Sequence, residues 1–185
     1  MNHIQEVIMT PGQCYIIAMG TLFLVVFSWK FSIRAKRYHG IARFFAFESL
    51  LVMITLNSGP WFQAPGIPQQ IVSWFFLGIS IYMALHGAFL LVKMGKPKGD
   101  LENTSKLVTT GLYGLIRHPL YASLVYLGFG AFLKQVTPVT VLLVVINTIA
   151  LFITAKVEEG EMLAKFGEEY RNYMKVTKRF IPFVF

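Results

Sequence analysis

The sequence predicts an all-α, polytopic membrane bundle of about five transmembrane helices. A helical hairpin lies toward its C-terminus, and polar segments collect on its cytosolic side. Three observations predict this. First, 55% of the 185 residues are hydrophobic and the mean hydropathy is +0.58. A soluble domain of that size has too little interior to hide so much apolar surface. Second, several runs approach the roughly 20 apolar residues that cross a bilayer core. Third, the basic residues alternate with those runs.

The first run extends from Gln13 to Ile33 and contains YIIAMGTLFLVVFSW. The second, Ile41 to Leu56, is short and carries Glu48, with Arg43 at its start and Trp61 beyond its end. The third is Ile71 to Val92, the fourth Leu120 to Leu133 and the fifth Pro138 to Ala155. Pro138 follows the fourth closely, which predicts a tight hairpin of the last two. The stretch GKPKGDLENTSK is polar and separates three N-terminal spans, within 13–93, from a distinctive C-terminal half, 106–182. The whole reads as one membrane domain without internal repeats.

The connections fix an orientation. Lys30, Arg34, Lys36, Arg37 and Arg43 surround the first, and NSGPWFQAPGIPQQ in the second has no charge. Lys93, Lys96, Lys98, Lys106 and Arg117 fill the third, Lys134 stands alone in the fourth, and the tail is basic again. With five spans, every one of the 17 Lys and Arg residues except Lys134 falls on one side. The excess of Lys and Arg on cytoplasmic loops then puts the N-terminus outside and the C-terminus in the cytosol. The net charge of +8 accordingly reads as a cytosolic face against anionic lipid, and not as a nucleic-acid surface. No cleavable leader is legible, so the first span is expected in the mature protein. Cys14 is the single cysteine, which excludes a disulfide framework within the chain. No metal-spaced His, Cys, Asp or Glu cluster, P-loop, dinucleotide fingerprint or serine elbow is present.

Two polar segments flank the hairpin on the cytosolic side: KLVTTGLYGLIRHPLY from Lys106 and KVEEGEMLAKFGEEYRNYMKVTKRFIP from Lys156. In the first, Pro119 suits the first position of a helix, so the N–H groups of that helix start point to the same face. Arg117 and His118 beside it suit a carboxylate or phosphate. The plainer reading has Arg117 reaching lipid phosphates and His118 capping a turn. In the second, Glu158, Glu159 and Glu161 follow the fifth run. Acids at a helix C-terminus oppose its dipole, so a compensating partner is expected. Lys165, four residues beyond Glu161, is a plain partner; Arg117 across the hairpin is a functional one. Gly167 is expected to break the helix before Glu168 to Lys175 start another. Tyr170 and Tyr173, three apart, share a face of it, and Arg179 can close over a site from the tail. An amphipathic tail resting on lipid is the competing reading. Glu48 and His86 lie within apolar runs, where Glu48 calls for Arg43 or another polar group as its partner and His86-Gly87 for a functional or close-packing role.

Taken together, G-L-Y-G-L-I-R-H-P-L-Y, a hairpin, the Glu pair, F-G-E-E-Y-R-N-Y and R-F-I-P resemble the isoprenylcysteine carboxyl methyltransferase family of membrane enzymes. They resemble the phospholipid N-methyltransferases more loosely. The resemblance covers about Lys106 to Pro182. It implies a cytosolic pocket for S-adenosylmethionine at the ends of the last helices. It implies that Leu107, Val108, Gly111 and Tyr113 line the cofactor, and that Arg117, His118 and Tyr121 hold its polar groups. Glu158 and Glu159 would contact cofactor or substrate. Tyr170, Tyr173 and Arg179 would close the pocket. Arg117, Glu158, Glu159 and Arg179 are the candidate catalytic residues, and no metal is implied. The implied reaction is methyl transfer to a lipophilic small molecule or lipidated peptide at the membrane, first of all to a prenylcysteine-like carboxylate. A phospholipid amine or small thiol acceptor is the alternative within this class. A non-catalytic lipid- or partner-binding bundle, and a reductase with a nicotinamide cofactor, are the alternatives outside it. The membrane would be the plasma membrane of a prokaryote or the endoplasmic reticulum of a eukaryote.

Overall fold

The computed structural model describes residues 9–30, 39–63, 66–96 and 104–182. Six α-helices account for most of them: α1 Pro11–Ser28, α2 His39–Leu56, α3 Pro68–Leu90, α4 Pro119–Phe132, α5 Pro138–Phe166 and α6 Glu168–Val176. Proline opens α1, α3, α4 and α5, at a position where its missing N–H costs no hydrogen bond. Thr10 and Gln13 close a reciprocal capping box at the start of α1, and Thr137 and Thr140 do the same for α5. A π turn, Leu91–Gly95, extends α3.

Helices α1, α3 with its π turn, and α5 are long and apolar enough to cross a membrane. Helix α2 has 18 residues and α4 only 14. The expected end of the first run at Ile33 lies outside the described residues. The most extensive helix contacts join α3 to α4 and α2 to α5, while the hairpin partners α4 and α5 touch less. The hairpin is therefore closed by its short connection and by the flanking helices. Helix α1 rests on α2 and buries no residue of its own. One tie between them is the Thr21 Oγ1 hydrogen bond to Glu48 Oε1, 2.6 Å, which supplies the polar partner that Glu48 called for.

The charge-free second connection meets the α4–α5 turn at one end of the bundle. Asn57 Nδ2 donates to Ala131 O at 2.7 Å, and Gln70 Nε2 to Lys134 O at 3.0 Å. Lys134 is buried there. Its ammonium donates to Gln70 Oε1 at 3.1 Å and lies 3.7 Å from the Trp74 ring centroid. This accounts for a lone cation among apolar neighbours.

At the opposite end one expectation is corrected. Helix α5 does not stop near Ala155 but continues to Phe166. Glu158, Glu159 and Glu161 therefore lie inside the helix, clear of its last turn, and the opposed-dipole argument loses its force. Gly167, at φ 56°, does end α5 and starts α6. A buried cluster of Ala46, Met83, Ile116, Tyr121, Ala122, Ala150, Leu151, Ala155 and Phe180 joins the bundle to the chain's tail. That packing fixes the tail at the end of the bundle where basic residues collect.

Candidate active site

The Arg117-His118-Pro119 stretch owes its position to a long-range backbone pairing. Ile116 and Lys178 form a parallel β-bridge. Arg117 N donates to Lys178 O at 2.7 Å, and His118 N to Arg179 O at 3.2 Å. Pro119, which has no N–H to donate, then begins α4. Arg117, His118 and Arg179 thereby converge on the C-terminal part of α5.

Glu159 is the centre of that convergence. Its Oε1 accepts from Arg117 Nε at 2.8 Å and from Arg179 Nε at 3.2 Å; its Oε2 accepts from Arg179 Nη2 at 2.6 Å. His118 Nε2 is 3.4 Å from Oε1, buried and outside hydrogen-bond geometry. His118 Nδ1 lies 3.9 Å from Glu158 Oε2. Arg117 Nη1 reaches past Glu159 to the carbonyls of Met174, at 3.3 Å, and Thr177. The Arg179 guanidinium also lies over the Phe152 ring, 4.8 Å from its centroid. Two guanidinium groups thus compensate one carboxylate that is 4% exposed. Such a charge is tolerated only when paired and hydrogen-bonded.

Beside this cluster opens a cleft. Leu91, Thr104, Leu107, Val108 and Tyr113 form one wall; Arg117, His118, Leu120 and Tyr121 another; Glu158, Met162, Tyr170 and Tyr173 the third. The His118 ring stacks on Tyr121 at 5.5 Å between centroids, and Tyr170 meets Tyr173 edge-on at 5.7 Å. Tyr173 Oη donates to Tyr113 O at 2.6 Å, which ties α6 to the short 3₁₀ turn Gly111–Gly114. Both tyrosine hydroxyls are pushed well above the usual phenol range. Burial is the main cause for each. The Glu159 and Glu158 carboxylates push Tyr170 further up, while Arg117 partly opposes the rise at Tyr173. Both stay neutral, so Tyr173 keeps the proton it donates.

Of the residues singled out in the sequence, Leu107, Val108, Tyr113, Arg117, His118, Tyr121, Glu158, Tyr170 and Tyr173 line this cleft. Gly111, Glu159 and Arg179 do not. Glu159 and Arg179 lie behind the wall in the ion cluster. Gly111 works through its backbone: φ is 62°, and a Cβ there would fall 2.8 Å from Leu90 Cδ1. Leu91, Thr104, Leu120 and Met162 were missed. Met162 was findable, being four residues from Glu158 on one helix face. Leu91 and Thr104 carry no local mark of function. His86 lies away from the cleft, with Nδ1 3.0 Å from Tyr82 Oη. Its neighbour Gly87 is a close-packing point, where a Cβ would meet Pro119 and Leu120 at 3.3 Å. Among the described residues no group of His, Cys, Asp or Glu has the arrangement of a metal site.

The family model described as phospholipid methyltransferase matches residues 68–169. That match runs from the start of α3 into α6. The chain is 30% identical over 89 residues to the protein-S-isoprenylcysteine O-methyltransferase of Mus musculus, covering 47% of this chain and 31% of that protein. Against the Rattus norvegicus protein of the same name, identity is 27% over 126 residues, covering 67% of this chain and 42% of that one. A methanethiol S-methyltransferase of Pseudomonas deceptionensis is 25% identical over 115 residues, covering 60% of this chain and 42% of that protein. In each case the matched region spans less than half of the relative's length.

Proposed function

Because this chain belongs to the phospholipid methyltransferase family, we propose that it transfers a methyl group from S-adenosylmethionine to a lipophilic acceptor at the membrane. The first acceptor is the carboxylate of a prenylcysteine-like compound. One observation carries the reading: a cleft walled by leucines, a valine and tyrosines lies directly against the ion cluster at the basic end of an apolar bundle.

The donor set fits the cofactor. Leu91, Leu107, Val108 and Met162, with the tyrosine rings, suit a purine and the aliphatic part of a sulfonium-bearing chain. The His118 ring lines the cleft, with Nδ1 on the side of Glu158, and suits a carboxylate. Glu158, on the third wall, suits an ammonium or a ribose diol. When bound, the cofactor supplies an electrophilic methyl on a sulfonium. The chain's own share is positioning and water exclusion, which suffice for an in-line displacement. Pro119 and the Ile116–Lys178 pairing hold His118 in place. A carboxylate acceptor is already ionised at neutral pH and needs no base. Similarity to a methanethiol S-methyltransferase favours a small thiol as the second reading. A thiol or amine must lose a proton, and in that reading Glu158, the carboxylate that lines the cleft, is the base. Glu159 is held by two arginines and is the poorer base.

The test is calorimetric titration of the detergent-solubilised protein with S-adenosylmethionine, beside His118→Ala. Arg117 is left intact because its guanidinium belongs to the ion cluster. Saturable binding, weakened at least about tenfold in a folded variant, is expected from the loss of a charge-assisted hydrogen bond. Radiolabelled methyl transfer to a prenylcysteine analogue, a phospholipid amine and a small thiol then identifies the acceptor. A folded parent that binds no S-adenosylmethionine sinks the proposal. Binding without turnover of any acceptor favours the non-catalytic bundle.

A further inference from the structure

Residues 104–113 form one side of the cleft as a strap with little regular structure of its own. Side chains from α5 and α6 grip it near both ends. At the far end Tyr173 Oη donates to Tyr113 O at 2.6 Å. At the near end Lys165 Nζ donates to Thr104 O, also at 2.6 Å. Thr104 is buried and lines the cleft, and its Cγ2 lies 2.7 Å from where a Cβ on Gly95 would stand. Glu158, Met162 and Lys165 are spaced i, i+4, i+7, so they share one face of α5. Glu158 and Met162 face the cleft, and Lys165 continues that face one turn beyond Met162. Its ammonium therefore reaches across from the third wall to the first.

We infer that Lys165 is a positioning residue: it latches the strap to α5 and holds the Leu107–Val108 wall closed against whatever the cleft binds. A charged donor on a backbone carbonyl is among the stronger neutral-acceptor bonds. Its loss removes the strap's tie to α5 at this end, while Ser105 N and Lys106 N still donate to Gly95 O at 2.9 and 3.2 Å. The consequence falls on ligand retention. Dissociation becomes faster and affinity lower, while the distance between reacting groups, set by α4 and α5, stays as it was. The inference rests on the reading that this cleft is the S-adenosylmethionine site.

The test compares the parent with Lys165→Met and Lys165→Arg in measurements on the detergent-solubilised protein. Stopped-flow binding of S-adenosylmethionine should show a dissociation rate and Kd raised about three- to tenfold in Lys165→Met and largely restored in Lys165→Arg. In an enzyme assay KM for the donor should rise with kcat nearly unchanged. Ligand-free amide hydrogen exchange should quicken at 104–108 in Lys165→Met and stay the same across 139–155. Unchanged affinity and exchange in Lys165→Met overturn the latch while the cofactor reading stands. A parent that binds no S-adenosylmethionine overturns the cofactor reading. The latch is then judged on exchange alone: faster exchange at 104–108 supports it, and no change overturns it. Loss of the whole fold in both variants, read as fast exchange across 139–155, also overturns it.

Discussion

Glu159 shows how far a single side chain organises this end of the molecule. It holds two arginines from separate segments, and one of them, Arg117, also binds two carbonyls at the end of α6. Glu159→Gln keeps the shape but leaves two guanidinium groups without their counter-charge. Removing one partner of a buried pair costs about 3–5 kcal/mol. A fall in unfolding free energy of about 3 kcal/mol is therefore expected in denaturant melts. A change under about 0.5 kcal/mol, as at an ordinary surface site, would show that the cluster is not a structural tie. Tyr170 and Tyr173 give a pH dependence with a definite sign. Their folded pKa values are raised, so the stability they contribute is fully present below the unfolded value near ~10. It is lost as pH climbs from there. Absorbance titration should show a late tyrosine component that disappears in the Tyr170→Phe/Tyr173→Phe double variant. If that component persists unchanged, the burial argument for these two rings is wrong.

At the scale of elements, the extension of α5 beyond its apolar run is what creates the third wall of the cleft. Gly160 sits inside it, exposed, and a Cβ added there would meet no atom within 4 Å. Gly160→Ala should raise stability by roughly 0.5–1 kcal/mol, the usual glycine-to-alanine gain in a helix, without changing ligand affinity. Gly111 is the opposite case. Its left-handed backbone costs a side-chain-bearing residue about 1–2 kcal/mol, and Leu90 blocks the space besides. Gly111→Ala should lower stability by at least that much and weaken S-adenosylmethionine binding, because the turn carrying Tyr113 must shift. Equal thermal midpoints for the two variants would contradict both assignments.

For the whole molecule the decisive quantity is orientation, and the distribution of Lys and Arg is expected to decide it. In a variant with Cys14→Ser, cysteines placed at Gln63 and Lys175 should react with a membrane-impermeant maleimide from opposite sides. Gln63 is expected to label in intact cells and Lys175 only after permeabilisation. The reverse pattern would overturn the N-terminus-outside arrangement and move the cleft to the other face.

The sequence by itself determined what depends on local composition. Apolar runs located the helices, prolines marked where α4 and α5 begin, and Gly167 marked the break before α6. The order of R-H-P, the Glu pair and the tyrosines pointed to the residues of the cleft, because those motifs lie at the ends of two connected helices. Only the tertiary structure decided direction. It turned Glu158 toward the cleft and Glu159 away from it, engaged Arg117 in an internal ion cluster, and brought Leu91 and Thr104 into the wall. The reason is physical. Hydropathy and capping act over a few neighbouring residues, whereas these choices follow from α5 continuing as a helix past its apolar stretch and from Ile116 pairing with Lys178 across the fold. Neither of those leaves a periodic mark in the chain.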